Sequence, residues 1–311
     1  MLSLNQISHL KLFFFTVLIS LSFPIGSYIT ASMDPLVVTW VRYLLASLLF
    51  VGILVAKKQF RIPSAKDLGR YTLISLPALG YFVAMFIALR DTSPLDASAL
   101  YTTVPLMSAI LAAFVFKRST SLSVTLALLG GMLGAGLIIF RGDLSAAGSI
   151  AMTASNKIYL LGCLGMALNP IIVKKCYRGE SFVHLTCWTL ICATGLLTVA
   201  AAPQLVQVQW TQIPAEIWLG IGYLAVFATA ISFFLFQQGS VALAPEQVSA
   251  YTYLIPVLVL LVNRFTGNLV PWEEVSYGVV TVLLSMTVMI RRGSPGTHAA
   301  VAKPEQEALA K

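Results

Sequence analysis

Apolar residues in this chain run in long blocks separated by short clusters of charge. Ten such blocks stand at roughly 11–31, 35–56, 68–89, 96–116, 123–140, 157–176, 183–202, 216–237, 245–264 and 275–290. A helix crossing a bilayer takes about 20 residues, fewer or more with tilt. The pattern therefore predicts an all-α, polytopic membrane protein with ten transmembrane helices. The fifth and tenth blocks are the shortest. The tail, residues 293–311, is rich in Gly, Pro, Ala, Lys and Glu and is expected to be a disordered cytoplasmic extension.

Composition agrees with this reading and narrows it. The 311 residues are 58% apolar and only 10% charged, against about 25% charged in an ordinary globular protein. A water-soluble fold of this size could not cover itself with so few charges. Collagen-like, intrinsically disordered and disulfide-stapled secreted chains are excluded by the same figures. Cys163, Cys176, Cys187 and Cys192 form no CxxC pair and read as packing residues. The first apolar stretch, Leu12 to Ala31, is long enough to span and lacks a clear cleavage site.

The net charge of +8 is explained by topology, with no nucleic-acid partner. With a cytoplasmic N-terminus, fifteen Lys and Arg fall on the cytoplasmic side, four on the other (Arg90, Arg141, Lys157, Arg264), and Arg42 inside a span. Such a bias normally sets orientation, so both termini are expected in the cytoplasm.

The chain repeats. Pro94, Ser98, Ala99 and Pro105 of the fourth span match Pro245, Ser249, Ala250 and Pro256 of the ninth at an offset of 151, which also pairs Phe82 with Phe233. An offset of 146 pairs Pro24 with Pro170. Two repeats of five spans follow, over 1–142 and 143–292. Five is odd, so the second repeat enters the membrane from the opposite side. Transporters commonly use this plan, with the site near the midplane between the halves.

Ser98, Tyr101, Thr102 and Pro105 fall on one helical face of the fourth span, and Ser249, Thr252, Tyr253 and Pro256 occupy the related places in the ninth. Polar faces with a proline are costly against lipid, and a cavity between the halves would explain them. The alternative is hydroxyls bonded back to their own helices and tyrosines anchoring the interface. Pro24 and Pro170 are mid-span kinks or pathway residues. Asn169 is an amide in need of a partner, Gln237 and Gln238 end the eighth span and read as interfacial with Gln237 also a site candidate, and Tyr81 is a candidate cavity wall.

Arg42 lies about seven residues, or roughly 10 Å, into the second span. It is either a substrate or gate contact, or a structural residue that snorkels to the outer interface. His184 carries a milder version of the same choice and is the candidate titrating group. No Asp or Glu lies deep in a span, and no metal motif, Walker loop or nucleophile–His–acid set is visible. Enzymatic and ATP-driven activity lack their parts, and no cofactor is expected. Gly130-x-x-x-Gly134 reads as packing inside one chain, giving a monomer, with a dimer as the alternative.

The inverted ten-helix plan resembles the EamA-type branch of the drug/metabolite transporter superfamily over residues 11–292. Three local features carry the likeness: Ser-Ala before Pro in the fourth and ninth spans, Pro35 followed by Arg42-Tyr43, and the glycines from Gly130 to Gly136. The chain departs from the family pattern at Lys117 and Asn268, where a glutamate is common, and has Trp188 where a repeat-related arginine would fall. The resemblance implies a secondary transporter in a bacterial inner membrane. It would export small metabolites, amino acids or related amphiphiles, by alternating access through a cavity of the first, third, fourth, sixth, eighth and ninth helices. Its partners would be that small substrate and membrane lipids. A proton-coupled drug or cation exporter is the alternative, and a lipid-modifying transferase a more distant one.

Overall fold

A computed structural model describes residues 3–117, 120–143, 145, 148, 152–265 and 270–292. The tail from Gly293, Asn268 and the side chain of Arg264 lie outside the described residues. Among those described there is helix and no strand, and ten helices are long and apolar enough to cross a membrane. They are α1 (Asn5–Thr30), α2 (Pro35–Ala56), α3 (Ala65–Ala88), α4 (Asp96–Phe116), α5 (Leu122–Ile139), α6 (Ala154–Cys176), α7 (Phe182–Gln207), α8 (Ala215–Ala242), α9 (Pro245–Val262) and α10 (Trp272–Arg291).

Local chemistry sets the ends. Asp34, Ser64, Ser93, Ser121, Thr153 and Ser181 each cap a helix by accepting from a backbone N–H of its first turn. A capping box between Ser3 and Gln6 starts α1 several residues before its apolar run, because helix propagates beyond the hydrocarbon-matched segment. For the same reason α7 and α8 each run five residues past the ends of their apolar blocks.

The halves pack as a pseudo-symmetric pair. α3 lies along α6, and the repeat-related helices α8 and α1 lie along each other; α2 pairs with α7 and α5 with α10. Exchanging the halves maps each pairing onto another or onto itself, as two inverted five-helix repeats require. At the α5–α10 seam the glycines meet reciprocally: a Cβ on Gly134 would stand 2.9 Å from the Gly278 carbonyl oxygen, and one on Gly278 would stand 2.7 Å from that of Gly134. The glycines of the fifth span therefore serve packing within the chain.

Prolines break three spans. α1 is interrupted at Leu21, and its second segment begins at Ser22. Pro24 has no N–H, and its ring crowds the carbonyl one turn back at Ser20, so the break precedes the proline. α4 is interrupted at Thr102 and Thr103, and α9 narrows to a 3-10 turn over Tyr251–Tyr253. Both irregular turns stand just before the repeat-related Pro105 and Pro256.

Candidate functional site

Where α1, α3, α4, α6 and α8 converge, they leave a narrow cavity of about 20 Å³ lined by Phe15, Ile19, Ser22, Phe23, Ala78, Tyr81, Phe82, Tyr101, Met166, Asn169, Ser232, Phe233 and Phe236. The space is constricted and holds little more than one water. Its wall is aromatic. The Tyr81 ring lies 4.9 Å from Tyr101 and 5.0 Å from Phe82, and Phe82 lies 5.8 Å from Phe233. Tyr81 also shares a 3.3 Å hydrogen bond with Tyr159. Asn169 donates to the Ile74 carbonyl at 3.1 Å, so its amide ties α6 to α3 while lining the cavity.

Arg42 sits behind the Phe82 ring, 0% exposed. Its Nε donates to Thr229 Oγ1 at 2.8 Å and one Nη donates to the Ala228 carbonyl at 3.0 Å. Burial overturns the snorkelling alternative, because the side chain is captured by α8 instead of reaching the outer interface. The capture site is a turn of π-helix, Val226–Ile231, in which Thr229 Oγ1 donates to the Leu224 carbonyl five residues back. Widening the helix leaves carbonyls that intrahelical bonds no longer claim, and a guanidinium satisfies them. The guanidinium carbon lies 4.3 Å from the Phe82 centroid and 5.4 Å from that of Phe86.

The other sequence candidates divide. Tyr81, Tyr101 and Asn169 meet at the cavity. Thr102 and Thr252 bond back to Ala99 and Ser249 carbonyls, at 2.6 and 2.9 Å, in the manner of the packing alternative. Tyr253 is buried with its ring against Gly131 of α5. Ser98 lines a separate cavity with Ile138, Arg141 and Pro256, Ser249 is buried in α9, and Pro24 stands exposed on the outer face of α1. Gln237, buried at 2%, accepts from Thr186 and donates to Thr189, locking α8 to α7. Gln238, expected at the water interface, is partnered by Lys11. His184 packs its ring between Tyr71 and Trp188.

Sequence reasoning missed most of the aromatic wall: Phe15, Phe23, Phe82, Phe233 and Phe236. The one signal was the pairing of Phe82 with Phe233 at the repeat offset, which marked the repeat without marking the site. The helix convergence also omits α9 from this cavity, although the family resemblance implied it.

Ten apolar spans in two inverted five-helix repeats around an aromatic cavity define the class: a polytopic, inverted-repeat membrane protein. The model of the EamA-like transporter family matches twice, at residues 6–140 and 156–291, once in each half, and the chain belongs to that family. It is similar to the uncharacterized transporter YyaM of Bacillus subtilis (strain 168), 21% identical over 285 residues that cover 90% of this chain and 92% of that one. A solved crystal structure shares the fold with a TM-score of 0.73 at 16% identity, covering 93% of this chain and 99% of that chain.

Proposed function

We propose that this transporter exports small amphiphilic metabolites, amino acids or related compounds, from a bacterial cytoplasm by alternating access. The termini are cytoplasmic, the substrate occupies the central cavity, and movement follows a metabolite gradient by facilitated diffusion or exchange. The observation that carries the reading is a lining drawn from both members of two repeat-related pairs, α1 with α6 and α3 with α8. A ligand held there touches both halves, as rocking about a central site requires. Aromatic rings with a few hydroxyls and one amide suit a compact amphiphile better than an inorganic ion, which needs rings of charge or carbonyls.

The runner-up is proton-coupled export of a drug-like or cationic compound. It is favoured by His9, a buried imidazole bonded through Nδ1 to the Tyr251 hydroxyl of α9 at 2.9 Å. An imidazole can take up and release a proton, and this one links the two halves. Proteoliposomes loaded with amino acids, nucleosides and cationic drugs test both readings. Flux of an amino acid or similar amphiphile without a pH gradient is the expected result. Flux that requires the gradient, and no longer responds to it in His9→Gln, selects the runner-up. No flux of any compound sinks both.

A further inference from the structure

Arg42 is a buried charge that the packing does not explain. Burying a cation in a membrane protein is expensive, and a carboxylate usually answers it. The ion pairs of Arg70, Arg90 and Arg178 go to Asp34, Asp67 and Glu180, all near span ends and away from Arg42. Its hydrogen bonds go to a hydroxyl and a carbonyl, which hold the guanidinium without neutralising it. The remaining nitrogen, Nη1, is buried with no hydrogen-bond partner. Two faces of one ring then matter. Phe82 lies 4.3 Å from the guanidinium carbon and also lines the central cavity. Its neighbours there are Tyr43, 6.2 Å away, and its own repeat counterpart Phe233.

We propose that Arg42 is the anion-binding residue of the transport site, that its ligand is the carboxylate of an amphiphilic monoacid, and that Phe82 with Phe233 forms the aromatic gate over it. The proposal rests on the reading of the central cavity as the substrate site. Displacing the Phe82 ring joins the cavity to the guanidinium and offers Nη1 to a carboxylate oxygen, an ion-paired bond stronger than either bond it makes to a neutral acceptor. The lining itself holds no cation, so the single arginine behind Phe82 suits one carboxylate better than a doubly charged phosphate. The phenyl rings accept the apolar remainder of the molecule. The π turn fits the same role, since Thr229 is a hydroxyl partner that reorients as the guanidinium shifts.

The test uses the full chain in detergent and in vesicles. Thermal stabilisation is measured with 3-phenylpropionate, its neutral amide and the corresponding amine. The acid is expected to protect, with the amide and amine at least tenfold weaker, and the preference for the acid is expected to vanish in Arg42→Gln. A merely structural arginine would lower stability without touching the order of the three ligands. Equal binding of acid and amide, unchanged by Arg42→Gln, overturns the anion site while leaving the cavity as a substrate site. Failure of all three to bind, with Tyr101→Ala equally silent, removes the cavity reading itself. Should Arg42→Gln not fold, phenylglyoxal labelling of arginine read by mass spectrometry decides the matter. Phe82→Ala is expected to raise labelling at Arg42 several-fold, and unchanged labelling overturns the gate.

Discussion

Arg42 and Trp188 hold the same place in the two repeats, since the offset of 146 that pairs Pro24 with Pro170 also pairs them. Their surroundings differ in kind. Arg42 is hydrogen-bonded to a π turn of α8, whereas the related stretch of α3 contains Pro77 and remains α-helical. Trp188 packs in an apolar cluster with Tyr71, Ile74, Val173, Leu185 and Val241, and its ring lies 5.6 Å from Phe60. The repeat thus carries a buried charge on one side and an indole on the other. Packing needs at such a site can be met by an apolar ring, as Trp188 demonstrates. The arginine, with its desolvation cost, therefore answers to something other than packing. The two halves share a scaffold and divide the chemistry.

The largest effects are expected where the halves behave alike. At the α5–α10 seam Gly134 and Gly278 approach backbone to backbone, and a backbone does not yield as a flexible side chain does. Gly134→Leu and Gly278→Leu should each cost well over the 1–3 kcal/mol typical of overpacking and leave little monodisperse protein on size exclusion. Equal damage from both marks the seam as the symmetric part of the molecule. Wild-type behaviour of either variant would break the pseudo-symmetry at its foundation.

Much of that scaffold was legible in the chain. Hydropathy located all ten spans because a bilayer demands a fixed apolar length, and the Pro, Ser-Ala and Pro spacing exposed the repeat because a helix break must be encoded locally. The site was less legible. Ser98 and Tyr101 are one turn apart on the unbroken helical segment that ends at Tyr101, yet the helices packed around it leave Tyr101 in the central cavity and Ser98 near α5 and α9. The π turn carries no proline or glycine, and what engages it is an arginine 187 positions away. Gln237 read as an end-of-span residue because its partners, Thr186 and Thr189, are on another helix. Contacts of that kind belong to the tertiary structure and leave no periodic trace.

Tyr101 and Tyr253 belong to the repeat-related polar faces of α4 and α9, one position out of register, and their surroundings differ. Tyr101 lines the cavity, with rings of Tyr81 and Phe23 4.9 and 6.0 Å away. Tyr253 is 0% exposed and lies so close on Gly131 that a Cβ there would meet its ring at 2.4 Å. Tyr253→Ala should therefore act through stability, by about 3–5 kcal/mol as for other buried aromatics cut to alanine. Tyr101→Ala should lower flux about tenfold, or ~1.4 kcal/mol, with folded protein near wild-type abundance. Melting curves and flux measured on the same preparations separate the two. A fully abundant Tyr253→Ala protein that transports nothing would return α9 to the substrate pathway in another conformation.

The smallest expected effect is at Trp188, and it bears most directly on the contrast with Arg42. The indole Nε1 is buried without a hydrogen-bond partner, so the polar atom of this side chain is a cost. Trp188→Phe removes that unpaired donor and keeps an aromatic ring against Phe60 and His184, at the expense of some volume. The two terms oppose each other. The net change should fall within about 1.5 kcal/mol, the range of tolerated apolar exchanges, with flux within twofold of wild type. An apolar counterpart that matters only for packing must tolerate this exchange. If Trp188→Phe abolished flux in protein that melts normally, the indole would be a functional group in its own right. The asymmetry between the halves would then lie in two specialised residues instead of one arginine against a filler.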